Sequence, residues 1–188
     1  YAVGMDIGCR MSLTVFDAKA DYLKRYAYQL KTALKEFTHF GMDGGLPFKQ
    51  EHEILDRKEF SYTPLLKILQ GKAVRQLGTS GSGNHFVEFG EIELFEDNVL
   101  HLPTGNYLAL LSHSGSRGMG AAIAKHYSQV ARDVCRLPRE AQHFAWLDLD
   151  SEAGQEYWIS MNLAGDYAQA CHERIHLNLS KELGLKPL

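Results

Sequence analysis

A mixed α/β (α+β) domain, with a mixed sheet layered against helices, is predicted by three observations. Short apolar segments of strand character fall in 1–16 and 86–111, apolar residues recur at helical spacing in 18–40 and 151–183, and glycine-rich turns separate the two kinds of segment. The succession strand, helix, strand, strand, helix, helix lacks regular βαβ alternation, which argues against a purely parallel sheet.

Residues 1–7 and 12–16 read as two strands flanking Gly8, Cys9 and Arg10. Leu23, Tyr26, Ala27, Leu30, Leu34 and Phe37 then recur at the spacing of one amphipathic helix within 18–40. The glycine-rich stretch 41–47 is a loop, and Pro64 opens a helix that runs to about Leu77. A Ser/Thr-rich turn carrying Gly78, Gly81 and Gly83 leads into a strand over 86–95. Its alternation slips at Gly90, where Val87 and Phe89 give way to Ile92 and Leu94, and this predicts a bulge. The continuous apolar run 107–111 suits a buried strand and empties into 112–118 before a helix reaching about Arg136. A long helix follows, capped at Asp150 or Ser151 and stopped at Gly184. No repeat or low-complexity linker divides the chain, so residues 1–188 form a single domain, expected to be partial because the apolar opening from Tyr1 has no lead-in.

Lys plus Arg is 20 against 23 Asp plus Glu, a net charge of −3, which excludes a generic electrostatic coat for nucleic acid and requires any RNA contact to be local. Cys9, Cys135 and Cys171 are an odd, widely spaced set without a Cys-x-x-Cys, so a disulfide framework or zinc ribbon is disfavoured. A reducing compartment, the cytoplasm, is expected. No apolar run approaches the roughly 18 residues of a membrane span.

Three polar clusters sit where strands end. In the first, Asp6 and Cys9 lie three residues apart across Gly8 and can address one metal ion, or be a solvated acid beside a buried thiol. The second, 78–85, offers backbone N–H groups to an anion, but Asn84 and His85 stand where a P-loop needs Lys and Ser/Thr; His85 is a ligand, an acid/base group or a hydrogen-bonded turn residue. The third runs from His113 through Ser114, Ser116 and Arg117 to a helix start, a place suited to phosphate or to a plain structural turn. Thiolate and imidazole together favour zinc on ligand type.

A fourth pattern competes with these. His172-Glu173-Arg174-Ile175-His176 matches the His-Glu-x-x-His of zinc proteases. Both histidines, however, flank the stripe formed by Met161, Ala164, Ala168, Cys171, Ile175 and Leu179, and Glu182 is the sole carboxylate downstream.

The segments 3–10, 81–88 (Gly-Ser-Gly-Asn-His-Phe-Val-Glu), 113–118 (His-Ser-Gly-Ser-Arg-Gly) and 161–164 follow one another in an order that resembles the RNA-splicing ligase family RtcB. Most of that family reads Asp-x-Asn-Cys-Gly in the first segment. Here Ile7-Gly8-Cys9-Arg10 keeps the Asp-to-Cys spacing but marks a divergent branch. The resemblance implies a ligase that joins RNA ends bearing 3′-phosphate or 2′,3′-cyclic phosphate to 5′-hydroxyl ends, using GTP and manganese through guanylylated enzyme and RNA intermediates. It implies Asp6, Cys9, His85 and His113 as ligands of Mn2+, two ions in the full enzyme with Cys9 shared. By the same likeness Asn84 and Arg117 position phosphates, and Phe86 and Glu88 join Asn84 in holding GTP. The family's further histidine ligand and its guanylylated histidine would both fall after Leu188, so this chain alone is expected not to ligate. Partners implied are RNA and GTP, with no membrane and an activating protein factor left unspecified. The alternatives are a metal-, nucleotide- or RNA-binding relative without ligation and, weakest, the zinc protease.

Overall fold

The computed structural model describes residues 7–188; the strand expected over 1–7, apart from its last residue, and the ligand Asp6 lie outside the described residues. Strands β1 (Arg10–Lys19), β2 (Phe86–Leu94) and β3 (Gly105–Ser114) form one sheet in the order β1-β3-β2, with both pairings antiparallel. A parallel bridge between Phe40 and Gly81 and an antiparallel one between Phe16 and Pro187 extend the pairing at its margins. Helices α1 (Tyr22–Arg25), α2 (Ala27–Phe37), α3 (Pro64–Gln76), α4 (Arg117–Val134) and α5 (Glu152–Leu183) complete the domain, a layered mixture of helix and strand as the periodicities require. No helix among the described residues is long and apolar enough to cross a membrane.

Helix α5 organises the molecule because it lines two cores. Its first half joins α3 and α4 around Leu66, Met119, Ile123, Leu163 and Tyr167, while its second half places Ile175 and Leu179 against Phe16, Leu108 and Leu110 of the sheet and Leu30 of α2. Its boundaries follow from capping chemistry. The Ser151 hydroxyl accepts from the Gly154 N–H, and Gly184 ends the helix at φ 62°, a left-handed conformation that costs glycine little. Pro64 likewise opens α3, behind Thr63, whose hydroxyl accepts from the Leu66 N–H at 3.1 Å.

Two expectations are corrected. The single helix over 18–40 is two helices broken at Tyr26 (φ −116°), and β1 runs on to Lys19 because an irregularity between Val15 and Lys19 lets the strand keep pairing with β3. Nor is there a bulge at Gly90. Register with β3 is unbroken from Phe86 to Leu94, with Gly90 opposite Ala109, so the slip in alternation records a change in which face is apolar.

The sheet therefore has two unlike faces. Ser112, Leu110 and Leu108 turn to the α2 and α5 side, where Val87 and Phe89 of β2 also pack. Cross-strand pairs align Met11, His113 and Phe86, then Leu13, Leu111 and Glu88, on the other face, where Met11 and Leu13 are exposed.

Candidate metal and nucleotide site

The site lies where the starts of β1 and β2 meet the end of β3 on the open face. Gly8 makes the turn that presents Cys9. At φ 74° it sits so close to α5 that a Cβ would come within 2.9 Å of the Gly165 Cα, so both the conformation and the approach require glycine. Cys9 Sγ then lies 2.8 Å from His113 Nε2 and 3.7 Å from His85 Nε2, and the two imidazole centroids are 5.5 Å apart. Three of the four ligands expected from the sequence thus converge; Asp6 falls outside the described residues.

The imidazole of His85 is aimed by its other nitrogen. Nδ1–H donates to the Ser80 carbonyl at 2.7 Å, which leaves Nε2 with its lone pair directed at Cys9 in the neutral ring. This is the arrangement by which metal-binding histidines are usually oriented. The same carbonyl accepts from the Ser114 hydroxyl at 2.6 Å, so β3 and the 78–83 turn are joined at this atom. Gly81 is the second position that only glycine fits, since at φ 109° a Cβ would strike the Arg117 guanidinium and come 2.6 Å from His85 Nδ1. Ser80 Oγ is buried and has no hydrogen-bond partner among the described residues.

The donor set fits a divalent cation in type and direction. Thiolate and imidazole sharing a tetrahedral ion, at about 2.3 and 2.1 Å from it, sit roughly 3.6 Å from each other. The 3.7 Å between Cys9 and His85 matches that spacing, whereas the 2.8 Å to His113 is hydrogen-bond contact and must open by roughly 0.8 Å. As placed, no group of three or more His, Cys, Asp or Glu among the described residues could hold a metal ion.

Phe86 stands edge-on to His113, with ring centroids 5.7 Å apart, and Glu88 lies two residues farther along the same face of β2, exposed, with Asn84 exposed in the turn before it. An aromatic ring and a carboxylate thus stand on the same exposed face as Cys9 and His113. Arg117, to which the resemblance gives a phosphate, is held by groups of the protein. It is buried with φ 58°; its Nε donates to Thr79 Oγ1 at 2.9 Å and its Nη2 to the Gly41 carbonyl at 2.7 Å. The first turn of α4 is likewise engaged: the Gly118 N–H donates to Gln76 Oε1 at 3.1 Å, and the Ser116 hydroxyl donates to the Ile7 carbonyl. Arg117 thus clasps the loop around Gly41 to the turn that carries His85.

The His172–His176 pair is a core feature. Both rings are buried, and all four ring nitrogens are within hydrogen-bond reach of Thr14, Ser112 or Ser114. Glu173 faces away to pair with His52 at 2.8 Å. No lone pair is open to a zinc ion, and the protease reading fails on this geometry. The residues that the sequence did not single out are Ser80, Thr79 and Ser112. Their one visible signal was small hydroxyl residues beside each histidine cluster.

Comparison with known proteins bears on the His85 and His113 segments. The family model for the tRNA-splicing ligase RtcB matches residues 48–184. The tRNA-splicing ligase RtcB of Methanocaldococcus jannaschii is 30% identical over 152 residues, covering 78% of this chain and 15% of that protein. That of Nanoarchaeum equitans is 26% identical over 163 residues, 81% of this chain and 34% of that protein. The RNA-splicing ligase RtcB homolog 1 of Entamoeba histolytica is 28% identical over 105 residues, 54% of this chain and 20% of that protein. The chain thus spans between 15% and 34% of the length of these relatives. Since the family model covers well over half of its residues, with His85, Arg117 and His113 inside the match, this chain belongs to the RtcB family.

Proposed function

We propose that this chain carries the metal- and guanine-nucleotide-binding portion of an RNA ligase acting in tRNA splicing or RNA repair. The observation that supports it most is the meeting of Cys9, His85 and His113 at one end of an open sheet face that also presents Phe86 and Glu88. The ligase joins RNA ends with 3′-phosphate or 2′,3′-cyclic phosphate to 5′-hydroxyl ends at the expense of GTP.

Cys9, His85 and His113, with Asp6, would hold manganese, which supplies positive charge that draws phosphate oxygens together and stabilises charge developing on them. The protein's own residues do the rest. Glu88 accepts hydrogen bonds from the N–H groups of guanine, a pattern adenine lacks on that edge, and Phe86 lies against the base. Asn84, exposed in the turn, orients a phosphate. Arg117 acts from behind: its guanidinium holds the turn in shape and adds positive charge beneath the phosphate position.

The test is binding of labelled GTP to the purified chain with and without manganese. Manganese-dependent binding that prefers GTP over ATP, and loses that preference in Glu88→Gln, is expected. Equal affinity for ATP and GTP in the wild-type chain contradicts the guanine assignment. With α-labelled GTP the chain by itself is expected to acquire no covalent label, because its histidines are engaged in the metal site or the core, or lie on other faces; an acid-labile label would show that one of them is the nucleophile.

A further inference from the structure

Two imidazoles on successive turns of α5 meet the covered side of β3, directly behind the proposed metal site. Ser112 Oγ lies 2.5 Å from His172 Nδ1 and 2.8 Å from His176 Nε2. Thr14 Oγ1 lies 2.6 Å from His176 Nδ1, and His172 Nε2 lies 3.2 Å from the Ser114 carbonyl oxygen. The proton positions follow from these partners. A carbonyl only accepts, so His172 carries its proton on Nε2, and its Nδ1 must accept from the Ser112 hydroxyl. That hydroxyl has spent its one proton, so its oxygen accepts from His176 Nε2–H. His176 Nδ1 in turn accepts from the Thr14 hydroxyl. With both rings neutral, this single direction of donors satisfies all four contacts. Burial favours the neutral rings, holding His172 below its ordinary range and His176 down at about 4.

The chain of bonds continues to the site. Ser114, whose carbonyl takes the His172 proton, gives its own hydroxyl proton to the Ser80 carbonyl, the atom that also receives His85 Nδ1–H. Ser112 and Ser114 are the two neighbours of His113 on β3. Resting on the metal-site reading above, we propose that His172 and His176 are positioning residues: through Ser112, Ser114 and Ser80 they fix the aim of His113 and His85 from the covered side of the sheet. The His-Glu-x-x-His pattern is then a support built into α5 behind the ligands. Its two histidines fall one turn apart because a single hydroxyl must reach both rings.

Cobalt(II) is the probe, since a thiolate bound to it gives a charge-transfer band that reports Cys9 directly. The wild-type chain should develop this band and Cys9→Ala should not. Ser112→Ala and Thr14→Val, each removing one hydroxyl from the chain of bonds, should weaken cobalt binding roughly 10-fold or more, as loss of an outer-shell partner does. Ser112→Thr and Thr14→Ser, which keep the hydroxyl, should restore it. Thr14 is only half-buried and valine matches its shape, so Thr14→Val keeps the proposal testable if Ser112→Ala fails to fold. Ring 15N NMR should find the proton of both His172 and His176 on Nε2. Wild-type cobalt affinity in Ser112→Ala or Thr14→Val, or a His172 protonated on Nδ1, overturns the proposal while the metal reading stands. A wild-type chain with no Cys9-dependent band removes both.

Discussion

Ser112 and His113 are neighbours on β3 that point to opposite faces, and the two histidine clusters they join differ in burial and in what their nitrogens face. On the covered face His172 and His176 are buried, with every ring nitrogen matched to a hydroxyl or carbonyl. On the open face His85 donates Nδ1–H to a backbone carbonyl and turns Nε2 toward an exposed thiol. Residue type does not separate a ligand cluster from a core cluster, since both contain paired histidines and both resemble known metal motifs. Burial separates them: the core pair is closed off from solvent among hydroxyls and a carbonyl, and the open-face pair adjoins an exposed thiol.

The largest expected effect tests that division directly. His176→Ala takes away the Thr14 hydroxyl's ring partner and one of the two at Ser112, and opens a cavity in a buried place, so urea denaturation should show a loss of roughly 3 kcal/mol or more. A loss under about 0.5 kcal/mol, the usual range for surface substitutions, would erase the distinction between the clusters.

Acid should act on the same cluster. The folded value of His176 is about 4 against an ordinary 6.5, so between those limits the unfolded chain binds the extra proton and stability falls as pH falls. The gap corresponds to about 3 kcal/mol, present in full above about pH 6.5 and lost progressively toward pH 4. His172 adds in the same direction. Denaturant unfolding at a series of pH values should show this slope, and His176→Ala should flatten it.

Thr79→Val sharpens the comparison from the site side. It removes the acceptor of the buried Arg117 Nε–H and should cost about 2 kcal/mol, read as a shift in the urea midpoint. Smallest of all, Cys9→Ser should change stability by no more than about 0.5 kcal/mol, because Cys9 is exposed and its environment serves binding. A large destabilisation there would make Cys9 a structural residue.

Much of this was legible in the sequence. Ser151 and Gly184 marked both ends of α5 and Pro64 the start of α3, and the Cys9, His85 and His113 segments singled out in the sequence are ones that meet, because caps, turns and strand ends leave local signatures. What failed depended on distant partners. The extension of β1 through Lys19 rests on pairing with Tyr107, and the unbroken register at Gly90 on Ala109 across the ladder. The burial of Arg117 rests on Thr79 and Gly41, 38 and 76 residues away in sequence. That the flank of the α5 stripe holding His172 and His176 is itself buried has the same origin. Alternation on β3 gave Ser112 to their side, and no pattern within α5 could announce that a serine 60 residues earlier would meet both rings.

The central claim is that Cys9, His85 and His113 act together on a divalent cation, and manganese(II) EPR measures this most directly, because the sharp six-line signal of the hydrated ion disappears when the ion binds. Titrated with wild-type chain the free signal should fall with one saturable affinity, and Cys9→Ala, His85→Ala and His113→Ala should each weaken that affinity at least about 10-fold while leaving the far-ultraviolet circular dichroism unchanged. A folded triple variant that depletes the free signal as well as the wild-type chain would contradict the account.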